Sequence, residues 1–437
     1  MKKRIMVFAA LVCGMTTASF AATVTNVIVR QQWPWSYKVN VDYRLLAPEG
    51  GAHDVKLTIK NGEEEIGPEY GSVSKDQFGV GPGDHCLVWD PRFGGANGNV
   101  DVYPNLTATV SVDDDDDKLY MIVDVSAGGS AATFPVTFTN NVPAGGWNAH
   151  VYKQTKIVFR RIPAGTFVMG FTPEEISHYN ITTTYSSDFF QRRKVTLTKP
   201  YYIAIFPTTR YQQVNMGEMA DPKWRYSYPL STGVTYNDLR GAAANLPPVA
   251  NSILGRLNAK TASAIAEVLP GYRFDLPTYA QWQCACRAGT ATCFNNGKDW
   301  APDATDTSDS NLDEVAWYGL PMNDASSANY EYGLEVANGV GNKAPNAYGL
   351  YDMQGLVVEF IRDMMSQKSG ASNGVTNPQT NPLLMSDVLP GVWGCGGRTL
   401  SPVVECLSNY AKLVSIETTS NSKFSQCIGY RLALVAD

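Results

Sequence analysis

Histidine is scarce in this chain, with 4 in 437 residues. His53, His85, His150 and His178 all lie at or before residue 178, and none has a second His or a Cys at metal-ligand spacing. A histidine-built metal centre is therefore excluded, and a Ser-His-Asp arrangement in the C-terminal half would rest on His178 alone. Basic surface is lacking too. Lys and Arg number 35 against 41 Asp and Glu, the net charge is −6, and the basic residues are scattered, which argues against nucleic acid as a partner. Beyond residue 22 there is no apolar run of about 18 residues, so the chain is not expected to span a membrane. Cys284-Ala285-Cys286 lacks the two-residue spacing of a redox pair. Gly394 to Thr399 is glycine-rich but lacks the strand and helix of a phosphate cradle.

What is present begins with an export leader. Lys2, Lys3 and Arg4 precede an apolar run from Ile5 to Cys13, and Ala18-Ser19-Phe20-Ala21-Ala22 offers small residues for cleavage. Residues 1–22 are read as a signal peptide, and the protein is expected to be secreted or periplasmic. Of the 8 cysteines, Cys13 falls in the leader. The others are Cys86, Cys284, Cys286, Cys293, Cys395, Cys406 and Cys427. An oxidising compartment permits disulfides, an odd number leaves a thiol over, and spacing does not reveal the pairing.

The remaining length exceeds what one core usually holds. Residues 23–140 are expected to form a β-sandwich-like domain. Alternation of polar and apolar residues marks strands near 23–30, 38–43, 54–59 and 105–112. Asp113 to Asp117 is a charge run, read as a solvated turn with a cation site as the alternative. Residues 141–154 read as a linker. A second domain is expected over 155–437. It opens with two strands around a turn at Pro163-Ala164-Gly165, followed by strands near 193–199 and 201–205. A helix falls within 246–266, and a second begins after Thr278, with Gln281 completing a capping box and Gly289 ending it. The tail after Gly391 reads as irregular until a closing strand at 430–435. Long loops of this kind need pins, whether metals, disulfides or buried polar networks.

Asp352 and Glu359 flank a glycine turn at Gly355 within an apolar stretch. Carboxylates in such surroundings need a partner. A hard cation held by their side chains and by intervening carbonyls would serve, and so would capping and salt bridging. The same stretch belongs to a series of blocks: Ile162–Gly170, Val195–Ile203, Phe274–Trp282 with Arg287–Thr290, Asn311–Tyr318, Asn346–Glu359, Gly396-Gly397 and Ile428–Leu432. In this order they resemble the formylglycine-generating enzyme family, also called sulfatase-modifying factors. The resemblance covers about 155–437 and implies an α+β domain with few regular elements, a variant of the C-type lectin fold.

The resemblance also implies sites. Calcium would be held by the side chains of Asp352 and Glu359 and the carbonyls of Gly355 and Val357. A second calcium site would start at Asn311 and the Leu312 carbonyl. Family members that oxidise a substrate cysteine to formylglycine bind copper(I) through two cysteines, which suits a soft ion. Those positions lie five and ten residues after the first glycine of the Gly-Gly pair, and here they hold Ser401 and Cys406. A serine hydroxyl does not replace a soft thiolate. Cys395, on the other side of the turn, is not expected to rescue the pair, and Cys406 is open to a disulfide, for instance with Cys427, or to burial as a small thiol. The expectation is a non-catalytic recognition module for a protein or glycan ligand outside the cytoplasm. The aromatics Trp224, Tyr226, Tyr228, Trp393 and Tyr410 are candidate contacts, or plain packing. The alternative is a copper-dependent formylglycine-generating oxidase with Cys406 as its catalytic thiol.

Overall fold

A computed structural model describes residues 21–68, 72–73, 77–91, 102–113, 118–181, 192–217, 234–241, 243–319, 339–366, 377–385, 390–408, 410–414 and 428–436. The leader up to residue 20, Asp114–Asp117, Trp224–Tyr228 and Cys427 lie outside these residues.

The N-terminal region is all β: β1 (Thr23–Gln31), β2 (Val39–Leu46), β3 (Val55–Asn61), β4 (Glu64–Gly67), β5 (Ser72–Val73), β6 (Gly83–Asp90) and β7 (Leu106–Val112). They form two sheets, ordered β1-β2-β6-β5 and β4-β3-β7. Alternation drives both. In β2, Val39, Val41, Tyr43 and Leu45 point inward, and in β3 so do Val55, Leu57 and Ile59, all meeting Leu87, Trp89 and Val110 in one shared core.

The chain continues through β8 (Tyr120–Asp124), β9 (Val136–Thr139), α1 (Val151–Gln154), β10 (Lys156–Ile162), β11 (Gly165–Met169), α2 (Pro173–His178), β12 (Arg193–Leu197) and β13 (Tyr201–Ala204). Next come α3 (Arg210–Met216), α4 (Tyr236–Leu239), α5 (Ile253–Val268), β14 (Tyr272–Asp275), α6 (Tyr279–Arg287), β15 (Ala316–Trp317) and β16 (Gln354–Gly355). The last strands are β17 (Val358–Ser366), β18 (Gln379–Thr380), β19 (Pro390–Cys395), β20 (Ala411–Val414), β21 (Ile428–Tyr430) and β22 (Ala433–Ala436).

The largest sheet runs β14-β22-β13-β10-β8-β9. It corrects the division expected from sequence. β8 pairs antiparallel with β10 and β9 with β8, so residues 120–139 belong to the second region, and the expected linker contains α1. The expected irregular tail also gives way. β19 pairs with β17 on one side and β20 on the other, and β17 runs parallel to β21.

The helices start where side chains can cap them. Thr278 Oγ1 accepts from Gln281 N at 3.2 Å, and Gln281 Oε1 accepts from Thr278 N at 2.9 Å, the reciprocal box expected for α6. Ser252 Oγ accepts from Gly255 N at 3.0 Å at the start of α5, whose Ile253, Leu254, Leu257 and Ile265 are buried. Among the described residues no helix is long and apolar enough to cross a membrane.

The irregular loops are pinned by buried polar side chains. Asn346 donates to the last carbonyls of α6, Ala285 O at 2.8 Å and Cys286 O at 3.0 Å, while its Oδ1 accepts from Tyr348 N and Leu350 N. Gln354 bridges three loops, donating to Cys406 O at 2.6 Å and Cys293 O at 3.2 Å and accepting from Asn295 N at 2.9 Å. Asp363 accepts from Tyr279 N at 2.7 Å and Leu384 N at 2.8 Å. Each pin satisfies backbone groups that loops leave without ladder partners.

Candidate functional site

Four places were open to chemistry. The first is the loop after Gly396-Gly397. Ser401 is buried, and its hydroxyl is committed: Oγ accepts from Arg398 N at 3.1 Å and donates to Glu405 Oε2 at 2.5 Å. It closes a turn in which Ser401 N donates to Arg398 O. Cys406 ends the 3-10 turn Val403–Cys406 and is fully buried. The Gly-Gly turn lies against it. Gly397 has φ +70°, and a Cβ added there would come within 2.5 Å of Cys406 Sγ. Burial pushes the Cys406 thiol well above its ordinary range, so it holds its proton. The described cysteines 284, 286, 293, 395 and 406 are free thiols. Cys395 sits on β19, and Cys286 is the thiol among its electrostatic neighbours. Burial raises both of their pKa values, that of Cys286 to about 12.

The second place holds Asp352 and Glu359. The glycine turn between them is real: Asp352, Gly355 and Leu356 all have positive φ, and a Cβ at Gly355 would collide with the Trp317 backbone. Glu359 is 1 % exposed and engages Arg431, itself 0 % exposed. Its Oε1 accepts from Arg431 Nη2 at 2.7 Å and Nε at 3.1 Å. Its Oε2 accepts from Arg431 Nε at 3.0 Å and Trp282 Nε1 at 2.8 Å. Three donors make four contacts with one carboxylate, the single Nε–H of Arg431 being shared between both oxygens. Asp352 Oδ2 accepts from Gly341 N at 2.7 Å, and burial pushes its carboxyl up to about 6. The Gly355 carbonyl accepts from Val357 N at 2.8 Å. Of the two sequence readings, salt bridging accounts for Glu359 completely. As a calcium ligand Glu359 does not fit, because the Arg431 guanidinium already lies across both of its oxygens.

The third place is the loop around Asn311 and Leu312. Here Asp309, which sequence reasoning missed, is the organiser. Fully buried, it accepts from Asn311 N at 2.9 Å, Leu312 N at 3.3 Å and Ala301 N at 3.1 Å. Asn311 Nδ2 donates to Asp299 O, and the Leu312 carbonyl accepts from Val315 N. No group of three or more His, Cys, Asp or Glu that could hold a metal occurs among the described residues. Trp393 is core, with Nε1 donating to Met365 O at 3.1 Å, and Tyr410 packs against the core.

The fourth place was not foreseen. Between the N-terminal sheets and the second region lies a cleft of about 550 Å³, a size suited to ligands and set where two units meet. Its walls include Lys56, Phe78, Arg161, Phe167, Arg192 and Arg287. β11, an edge strand, lines one side. Ion pairs and rings fix the geometry around it. Arg160 pairs with Asp54, both buried, and its guanidinium lies over the Tyr120 and Tyr348 rings at 5.5 and 5.7 Å. Arg161 Nη1 meets Asp113 Oδ2 at 2.8 Å. Phe78 packs at a tilt against Tyr348 with ring centroids 4.2 Å apart. A charge spacing of 48 or 106 residues leaves no local trace in a sequence.

Residues 150–434 match the model of the sulfatase-modifying factor enzyme 1-like domain. No curated protein matches the chain. Among solved structures, PvdO from Pseudomonas aeruginosa is similar at 19% identity, with 63% of this chain and 94% of that chain covered and a TM-score of 0.42. Treponema denticola variable protein 1 is similar at 20% identity, with 64% and 95% covered and a TM-score of 0.38. CarF is similar at 17% identity, with 64% and 99% covered and a TM-score of 0.35.

Proposed function

We propose that this chain, which belongs to the family of sulfatase-modifying factor enzyme 1-like domains, is an exported recognition protein rather than an oxidase. One observation carries the reading. At the place where copper(I) would need two soft ligands, Ser401 is spent on Arg398 and Glu405, and Cys406 is a protonated thiol sealed beneath Gly397. Activating oxygen on copper needs thiolates that metal and substrate can both reach, and neither condition is met. Ligand contact is assigned to the cleft between the two regions, which is open and offers both aromatic and cationic groups. The ligand is read as a protein or glycan outside the cytoplasm, on the strength of the leader at residues 1–22.

The alternative reading, a formylglycine-generating oxidase, is tested by incubating the mature protein with copper(I), oxygen and a cysteine-containing sulfatase peptide. The recognition reading expects no aldehyde above a protein-free control. Aldehyde formation that disappears in Cys406→Ser would overturn it.

A further inference from the structure

Asp352 and Glu359 face cations that the chain itself supplies. Arg431 holds Glu359 as described, and its remaining donors go to Ala204 O at 2.9 Å and Tyr351 O at 2.8 Å. Lys153 is the second cation. It is 7 % exposed, its Nζ donates to Val340 O at 2.8 Å, and it lies 5.4 Å from the Phe206 ring centroid. The next residue along, Gly341, gives its N–H to Asp352, so one peptide unit joins the ammonium to the carboxylate. Asn148 Nδ2 holds the next peptide unit by donating to Gly341 O at 2.8 Å. A Cβ at Gly341 would fall 2.4 Å from Asn148 Oδ1 and 3.2 Å from Lys153 Nζ, so glycine is required for this approach.

The charges balance. Asp352 and Glu359 carry two negatives, and Lys153 and Arg431 carry two positives. All four are at least nine-tenths buried. A calcium ion added here would leave two uncompensated positive charges in a region with little water, which is costly. To make room on Glu359 it would have to displace Arg431, stranding a buried guanidinium. We propose that Arg431 and Lys153 take the place of calcium in this chain, so that the turn at Gly355 is held by an internal four-charge cluster and the protein is metal-independent at this site. The inference concerns how the scaffold is held and stands whether or not the protein is a recognition module.

The test is made on the whole mature protein. Elemental analysis after purification without chelator is expected to find no stoichiometric calcium. Calorimetric melting in saturating calcium and in EGTA is expected to give superimposable transitions, since a ligand that binds only the native state would raise Tm. One calcium per chain, or a lower Tm in EGTA, would overturn the proposal. Arg431→Gln frees the acceptors of Glu359 and removes one positive charge. If it folds, its Tm is expected to rise on adding calcium, and a folded variant indifferent to calcium would overturn the role given to Arg431. Should that variant fail to fold, the wild-type measurements still decide.

Discussion

The loop after Gly396-Gly397 and the cleft beneath β11 differ in how much of their polar capacity is spent. In the loop the Ser401 hydroxyl is committed to Arg398 and Glu405 and the Cys406 carbonyl to Gln354, while the Cys406 sulfur packs against the Gly397 turn. Around the cleft, ion pairs such as Arg161 with Asp113 fix the walls while about 550 Å³ stays open. The loop carries the positions, Ser401 and Cys406, that the family resemblance marks as catalytic, and both are buried. The cleft draws on family blocks, Ile162–Gly170 and Arg287–Thr290 among them, but none of its lining residues was singled out as a catalytic position or calcium ligand. On the recognition reading proposed above, the family's catalytic positions and the ligand cleft lie in different parts of the molecule.

If the closed region is structural, removing its supports should cost far more than altering the cleft walls. The largest effect is expected for Arg431→Ala, which leaves Glu359 buried and unpaired. A loss of about 3–5 kcal/mol is expected in urea unfolding. A loss under about 1 kcal/mol would mean that the Glu359 charge is met in another way.

Gly397→Ala comes next. Its new Cβ meets the Cys406 sulfur and the Glu405 carbonyl at a positive φ, and the expected cost is about 1–3 kcal/mol. A double-mutant cycle with Cys406→Ala, which removes the sulfur, should return part of that cost. Strict additivity would show that the sulfur does not lie against the turn.

Asp363 gives a smaller, pH-dependent effect. Burial pushes its carboxyl up to about 6, against the opposing pull of the Leu384 and Tyr279 N–H groups. The folded state therefore holds a proton that the unfolded chain releases from about pH 4 upward. The stability from this group is present below that range and is lost as pH rises through about 6. Asp352, raised to about 6 by burial, acts in the same window. Asp363→Asn should make the fall in stability between pH 4 and 6 shallower without abolishing it, as read from urea midpoints. An unchanged slope would contradict the assignment.

The smallest effect is expected in the cleft. Lys56→Ala, on its exposed rim, should shift stability by no more than about 0.5 kcal/mol. A larger loss would mean that the rim also supports the fold.

The contrast explains what could be read in the sequence. Strands β2 and β3 were legible because alternation within seven or eight residues decides which side chains face the core. The α6 capping box was legible for the same reason, since Thr278 and Gln281 are three residues apart. Family blocks located the Gly-Gly turn and the Asp352–Glu359 stretch. The partners of these groups were not legible. Arg431 lies 72 residues from Glu359, Gln354 lies 52 from Cys406, and Asp54 lies 106 from Arg160. Asp309 resembled any loop aspartate until the fold buried it. The transfer of β8 and β9 to the second sheet was equally hidden, because alternation marks a strand without naming its neighbour.

Copper(I) titration of native protein, wild type against Cys406→Ser, tests the central claim most directly. With a single sealed thiol at the positions the family resemblance marks as catalytic, both proteins are expected to show the same copper binding. Tight, one-to-one copper(I) binding in the wild type that is lost in Cys406→Ser would contradict the account.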